Sequence, residues 1–204
     1  QPTRDPKQYF VVLPAEYQVI LGSTLGDATL YFQGQSAGFF ETKQYAHRSY
    51  LEWKAGQLTR FQPHMWDRMS QEHPASYLRT RQWPNLISLR QSFYPEGKKV
   101  IPKGLMSQLA PLGLAVWFED DGSYHKKANK LATHGFTKEE NEWLADYYFP
   151  HQWNMQPALD RKKRKDGNDF IYSLRFRVAD SKMLAEIITP WLVPIMGYKV
   201  GLKP

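Results

Sequence analysis

Leu112–Ser123 reads LGLAVWFEDDGS, an apolar run that closes on three acids, a glycine and a serine. Earlier in the chain, Ile20–Ala28 reads ILGSTLGDA. Superposed, the two share a pattern: an apolar start, a small or apolar middle, then an acid followed by Ala or Gly. Each has a proline upstream where a helix can open, Pro14 with Glu16 in the first turn and Pro111 for the second copy. The expectation is two helices packed side by side and ending at matched aspartates, Asp27 and Asp121. Helices approach closely only where their contact faces carry small residues. Gly22 and Gly26 lie four apart on one face of the first helix with Ser23 nearby, whereas the second offers Ala115 beside bulkier Val116 and Phe118.

The flanking segments repeat the same grammar. Residues 1–13 read as a lead-in that turns strand-like from Tyr9 to Leu13. After the first helix, Thr29–Gln33 and Phe39–Gln44 alternate around Gly34–Gly38, a hairpin signal. Residues 47–62 suit an amphipathic helix, Tyr77–Gln82 a strand and Asn85–Tyr94 a helix. After the second helix, Ser123–His134 supplies strand material. Thr137–Tyr148 is a helix opened by Thr137 and Glu140 in a capping box, Phe170–Val178 a strand, and Ser181–Ile188 a helix. Each half thus reads helix, strands, helix, strands, helix. The expected class is α+β, with a pseudo-two-fold pair of αββαββα halves at 1–110 and 111–204.

Composition narrows the function. Lys and Arg outnumber Asp and Glu by 27 to 20, a net charge of +7 that favours phosphate-bearing partners. The chain carries no Cys, which excludes disulfides, thiolate nucleophiles and Cys-based zinc sites, and fits a reducing intracellular compartment. No apolar run approaches the roughly 18 residues of a membrane span, and the opening residues do not read as a secretory leader, so a soluble protein is expected. The six His show no paired metal spacing. Ser23 and Ser123 lack a base partner, so acyl-transfer chemistry has no support.

Both motif segments resemble the LAGLIDADG signature, and Leu112–Ser123 is similar to the second copy found in single-chain homing endonucleases. The resemblance extends to Tyr94–Pro102 (YPEGKKVIP) and Pro190–Lys199 (PWLVPIMGYK). It implies saddle-shaped antiparallel sheets over DNA, with the two motif helices packed together at the centre. The implied activity is site-specific hydrolysis of both strands of a long asymmetric target, across the minor groove, leaving 3′ overhangs. A monomer in intron homing would perform it, with two or three Mg²⁺ or Mn²⁺ ions. Lys99 and Lys199 fall at the positions where the family places a Lys or Gln near each scissile phosphate, with Lys98 as the alternative to Lys99.

Physical chemistry points the same way. Two carboxylates at the negative ends of two helices repel. Divalent cations relieve that conflict, and the helix-terminal carbonyls of Gly26 and Asp120 would add hard oxygen ligands to Asp27 and Asp121. Either aspartate alone would read as an ordinary helix-end turn residue; the matched pair in a basic chain favours metal. In the superposition Asp120 corresponds to Gly26, and Glu119 falls at a variable acidic position.

Candidate DNA contacts follow from strand alternation. They are Tyr31, Gln33, Gln35 and Lys43; Arg79, Arg81 and Gln82; Tyr124, Lys126, Lys130 and Thr133; and Arg175 and Arg177. The run Arg161, Lys162, Lys163, Arg164, Lys165 is expected on a phosphate-contacting hairpin loop, with a targeting signal or plain solvated charge as alternatives. Two rivals share the fold: an intron-splicing maturase that binds RNA, and a DNA-binding module without nuclease activity.

Overall fold

The computed structural model describes residues 11–164 and 170–202. Its two long central helices are α1 (Pro14–Leu25) and α5 (Pro111–Asp121), each with proline in its first turn. Neither has a polar face. Val19–Leu25 and Gly113–Asp120 are buried without interruption, as expected of helices surrounded by protein. They pack directly on each other. A Cβ placed on Gly22 would lie 2.2 Å from the Gly113 carbonyl oxygen, and one on Gly26 would lie 2.5 Å from the Asp120 Cβ. The close approach is therefore made by Gly22 and Gly26 against Gly113, Val116 and Asp120. Gly113, rather than Ala115, is the small residue that matters on the second helix.

Each central helix leads into a four-stranded antiparallel sheet. The first holds β1 (Thr29–Gln33), β2 (Ser36–Gln44), β3 (His64–Arg68) and β4 (Ala75–Arg79), in the order β1-β2-β4-β3. The second holds β5 (Gly122–His125), β6 (Ala128–Leu131), β7 (Ala158–Lys163) and β8 (Phe170–Arg175), in the matching order β5-β6-β8-β7. Identical strand order after equivalent helices is what a duplicated α+β fold requires. The remaining helices α2 (Arg48–Gln57), α3 (Ile87–Phe93), α4 (Lys103–Met106), α6 (Lys138–Trp143), α7 (Phe149–Trp153) and α8 (Val178–Ile188) pack around this frame. One apolar core runs through both central helices and the inner sheet faces, from Leu30, Phe39 and Leu78 to Leu131 and Leu174. Among the described residues, no helix is long and apolar enough to cross a membrane.

Several boundaries differ from the sequence expectation, for local reasons. The first hairpin turns at Gly34 and Gln35, not across Gly34–Gly38, because Gly38 is a strand residue paired with Tyr31. The Tyr31 ring lies across it, and a Cβ there would sit 2.3 Å from Tyr31 Cζ. Strand β3 is additional to the sequence expectation, since its alternation carries no core signal: Met65 alone is half-buried and the other four residues are exposed. Thr137 caps its helix as expected, accepting from the Glu140 amide at 3.2 Å. That helix then widens to a π-turn at Leu144–Tyr148 and continues as α7. The strand reading of Tyr9–Leu13 falls mostly outside the described residues, and Val11–Leu13 form no strand.

Candidate active site at the paired helix ends

The two central helices finish side by side, and each is met by a lysine from a distant segment. Lys99 Nζ donates to the Gly26 carbonyl at 2.7 Å, and Lys199 Nζ donates to the Asp120 carbonyl at 2.8 Å. The match makes Gly26 and Asp120 equivalent, and hence Asp27 equivalent to Asp121. Both lysine segments are anchored. Beside Lys99, the Val100 amide donates to Phe93 O at 2.8 Å and the Ile101 amide to Glu140 Oε1 at 2.6 Å. The Lys199 carbonyl accepts from Asn129 Nδ2 at 3.1 Å. Burial lowers the pKa of both lysines, against the pull of Asp121, Asp27 and Asp120.

Asp27 is exposed and Asp121 half-buried. Burial, then the charges of Asp27 and Asp120, push the Asp121 carboxyl up to about 7. The donor set is all hard oxygen: two carboxylates and two helix-terminal carbonyls. Those carbonyls already face ammonium cations, so the site is built to receive positive charge, which suits Mg²⁺ or Mn²⁺. Among the described residues, no group of three or more His, Asp or Glu is placed to hold a metal alone. An ion here would therefore complete its shell with water and phosphate oxygens.

Beneath the helix ends lies a buried ion network absent from the sequence expectation. Lys54, fully buried on α2, donates to both Glu41 carboxylate oxygens at 2.8 Å and to both Asp120 carboxylate oxygens at 3.0 and 3.1 Å. Its ammonium sits 4.4 Å from the Tyr50 ring centroid. Lys43 joins the network, donating to Asp27 Oδ2 at 2.5 Å and Asp120 Oδ1 at 2.6 Å. Burial alone would lower Lys43, but Asp120, Glu41 and Asp27 outweigh it and keep it protonated. Burial and Asp120 raise Glu41 to about 7, while Lys54 and Lys43 hold Asp120 below its ordinary value despite burial. A cavity opens over this network, lined by Asp27, Glu41, Lys43, His47, Asp120 and Lys199. Lys43 is thus not on the groove-facing side of β2, because it shares a face with Glu41 and Phe39, which point to the helices. Sequence carried a signal here: Glu41, Lys43 and Lys54 are charges at positions whose phase is apolar.

The chain matches the LAGLIDADG DNA endonuclease family over residues 17–184, a span that includes both helix ends and Lys99. It belongs to that family. A probable intron-encoded DNA endonuclease 3 of Mycosarcoma maydis is 32% identical over 109 residues, covering 52% of this chain and 75% of that protein. The cytochrome b mRNA maturase bI2 of Saccharomyces cerevisiae is 31% identical over 103 residues, half of this chain but 23% of the maturase. In fold, the chain is similar to the homing endonuclease I-WcaI bound to its DNA recognition sequence. That match has a TM-score of 0.83 at 20% identity, over all of this chain and 96% of the other. I-DmoI in complex with DNA and Mn matches with a TM-score of 0.54 at 10% identity, over 86% and 96%.

In this LAGLIDADG chain the expected DNA contacts separate by face. On the outer face of the first sheet, Tyr31 donates its hydroxyl to Thr80 O at 2.6 Å, and the Arg79 guanidinium stacks 4.4 Å from its ring centroid. Gln33 ends β1, opposite Ser36, and Gln35 is exposed in the turn. Arg81 and Gln82 follow β4, with Arg81 donating to Gln62 at 2.9 Å. On the second sheet, Lys130 and Arg175 are paired and outward, bridged by Asp160 at 3.4 and 3.1 Å. Lys126 is exposed at the β5–β6 turn with φ 49°, and Arg177 is exposed at the start of α8.

Three expectations are corrected. Tyr124 shares the inner face with Asn129 and packs its ring on Gly201, where an added Cβ would lie 2.5 Å away, yet it stays 41% exposed, so only its expected facing is corrected. Thr133 is buried and hydrogen-bonded to Asn141. Arg161, Lys162 and Lys163 lie within strand β7, not on a loop. Of these Lys162 faces outward, whereas Arg161 turns to the other face with its guanidinium 5.2 Å from the Phe170 ring centroid. Arg164 is exposed at the strand end, and Lys165 lies outside the described residues.

Proposed function

We propose that the chain is a metal-dependent, site-specific DNA endonuclease acting as a monomer, its two halves meeting near residue 110. The observation that carries this is the matched pair of contacts, Lys99 to the Gly26 carbonyl and Lys199 to the Asp120 carbonyl. The two matched ends give two hydrolytic centres, one for each DNA strand. Asp27 and Asp121, with the Gly26 and Asp120 carbonyls, would hold two or three divalent ions, Mg²⁺ or Mn²⁺. Bound there, such ions supply Lewis-acid stabilisation and a more acidic water.

The protein's own residues do the rest. Lys43 fixes the Asp27 carboxylate, and Lys54 neutralises the carboxylates packed beneath. Lys99 and Lys199 place positive charge where a phosphodiester gains negative charge. The outward faces of the two sheets would lie along the major groove on either side, with cutting across the minor groove between them leaving 3′ overhangs. Because the halves differ, the target is asymmetric.

Incubating the protein with a randomised duplex library and Mg²⁺, then sequencing the ends, tests the proposal. Double-strand breaks at one recurrent sequence are expected; no cleavage with any divalent metal would refute it. The likeness to a cytochrome b mRNA maturase supports a second reading, splicing assistance through RNA binding. Tight binding of a structured intron RNA by a protein that cuts no DNA would favour it.

A further inference from the structure

The outer face of the first sheet carries an apolar patch where a phosphate- and base-reading surface would be expected to be polar. Strand register places Phe40, Tyr77 and Trp66 together, with Phe40 opposite Arg79 and Tyr77 opposite Trp66. The Trp66 and Tyr77 rings stack with centroids 5.1 Å apart and planes 5° from parallel. Phe40 closes the group at 6.3 Å from Trp66 and 6.4 Å from Tyr77, and the His64 ring stacks on Trp66 at 5.6 Å. Trp66 is 37% exposed on the edge strand β3, and Phe40 and Tyr77 are half-buried beside it.

Its surroundings identify its partner. Arg79 and Arg68 share the same face, so the aromatics are set in positive charge. Phe40 also lines the cavity that holds Asp27 and Lys43, which makes the patch continuous with the acidic centre. A polyanion lying over this centre would therefore lie over the patch as well. In a duplex major groove, the one apolar group on a base edge is the thymine C5-methyl.

Resting on the endonuclease reading above, we propose that Phe40, Trp66 and Tyr77 form a thymine-reading surface for the bases beside the first helix end. The patch spans the neighbouring strands β2, β4 and β3, about 10 Å across. That width corresponds to two or three successive base pairs at roughly 3.4 Å each.

The test uses the duplex recovered from the randomised library. Each thymine is replaced singly by deoxyuridine, which removes the methyl and leaves every hydrogen-bonding group in place. Two or three neighbouring thymines in one half of the target should each lose about fourfold in affinity, the order expected for one buried methyl group. In Trp66→Ala and Phe40→Ala the same replacements should cost less than about twofold, the coupling expected of groups in contact. Trp66→Phe should retain part of the discrimination. Uracil tolerated at every position while the wild type still binds and cuts would overturn this inference alone, as would sensitivity unchanged in Trp66→Ala. A wild type that neither binds nor cuts any duplex would overturn the endonuclease reading together with it.

Discussion

Gly26 lies directly against Asp120, and a Cβ at position 26 would sit 2.5 Å from the Asp120 Cβ and 2.7 Å from its Oδ2. The helix ends meet only because one of them lacks a side chain at this point. Gly26→Ala should destabilise the protein by roughly 2–3 kcal/mol, the cost of overpacking a rigid interface, with a loss of cleavage beyond that of stability. Gly56→Ala is the control. It lies in α2 with nothing within 4 Å of an added Cβ, so it should stabilise by about 0.5–1 kcal/mol. Urea unfolding of both variants checks the contrast.

Lys54 is the keystone of the buried network. Lys54→Met would leave Glu41 and Asp120 packed together with only Lys43 to balance both carboxylates. Breaking a buried pair from one side typically costs about 3–5 kcal/mol, and a loss of that order is expected in chemical denaturation. A Lys54→Met protein as stable as the wild type would show that the network contributes little.

Lys99→Ala and Lys199→Ala should reduce the cleavage rate about 10²–10³-fold, in keeping with loss of one positioned group stabilising developing charge, while site affinity changes little. Single-turnover cleavage and gel-shift titration separate the two effects. Since each lysine serves one helix end, each variant should accumulate DNA nicked in one strand, and the two variants should nick opposite strands.

Metal-free protein should lose stability as pH rises from about 4.5 to 8. Burial holds Glu119 at about 8 and Glu41 at about 7, and Asp121 is also raised to about 7. At these three carboxyls the folded state binds more protons than the unfolded chain across this window, and they outnumber His47 and His134, whose pKa burial lowers and which act the other way. Stability falls wherever the native state holds the excess. Melting temperatures measured with chelator at pH 5 and pH 8 should show the drop, and Glu119→Gln should flatten it. Added Mg²⁺ should restore stability at the high-pH end, because it binds the ionised carboxylates.

Much of this was legible in the sequence. Pro111 and the uninterrupted apolar run to Phe118 mark the course of α5, and the matched acids mark the two helix ends that meet. Lys99 and Lys199 were found through the segments around them, since nothing in a lone lysine announces a carbonyl partner. What escaped was non-local. Lys43 looks like an ordinary strand lysine until the phase of Phe39 and Glu41 is followed, which puts it on the inner face. Gly38 reads as a turn residue until the Tyr31 ring is laid over it. Strand β3 carries almost no core signal, because four of its five residues are exposed and it pairs at a sheet edge.

Asp27 and Asp121, at equivalent helix ends, are proposed to serve one DNA strand each. The most direct measurement is cleavage of a supercoiled plasmid bearing the selected target by Asp27→Asn and Asp121→Asn, with binding measured in parallel. Each variant should lose double-strand cleavage by more than about 10³-fold while holding the target with near-wild-type affinity. Full linearisation of the plasmid by either variant would contradict the paired-carboxylate account.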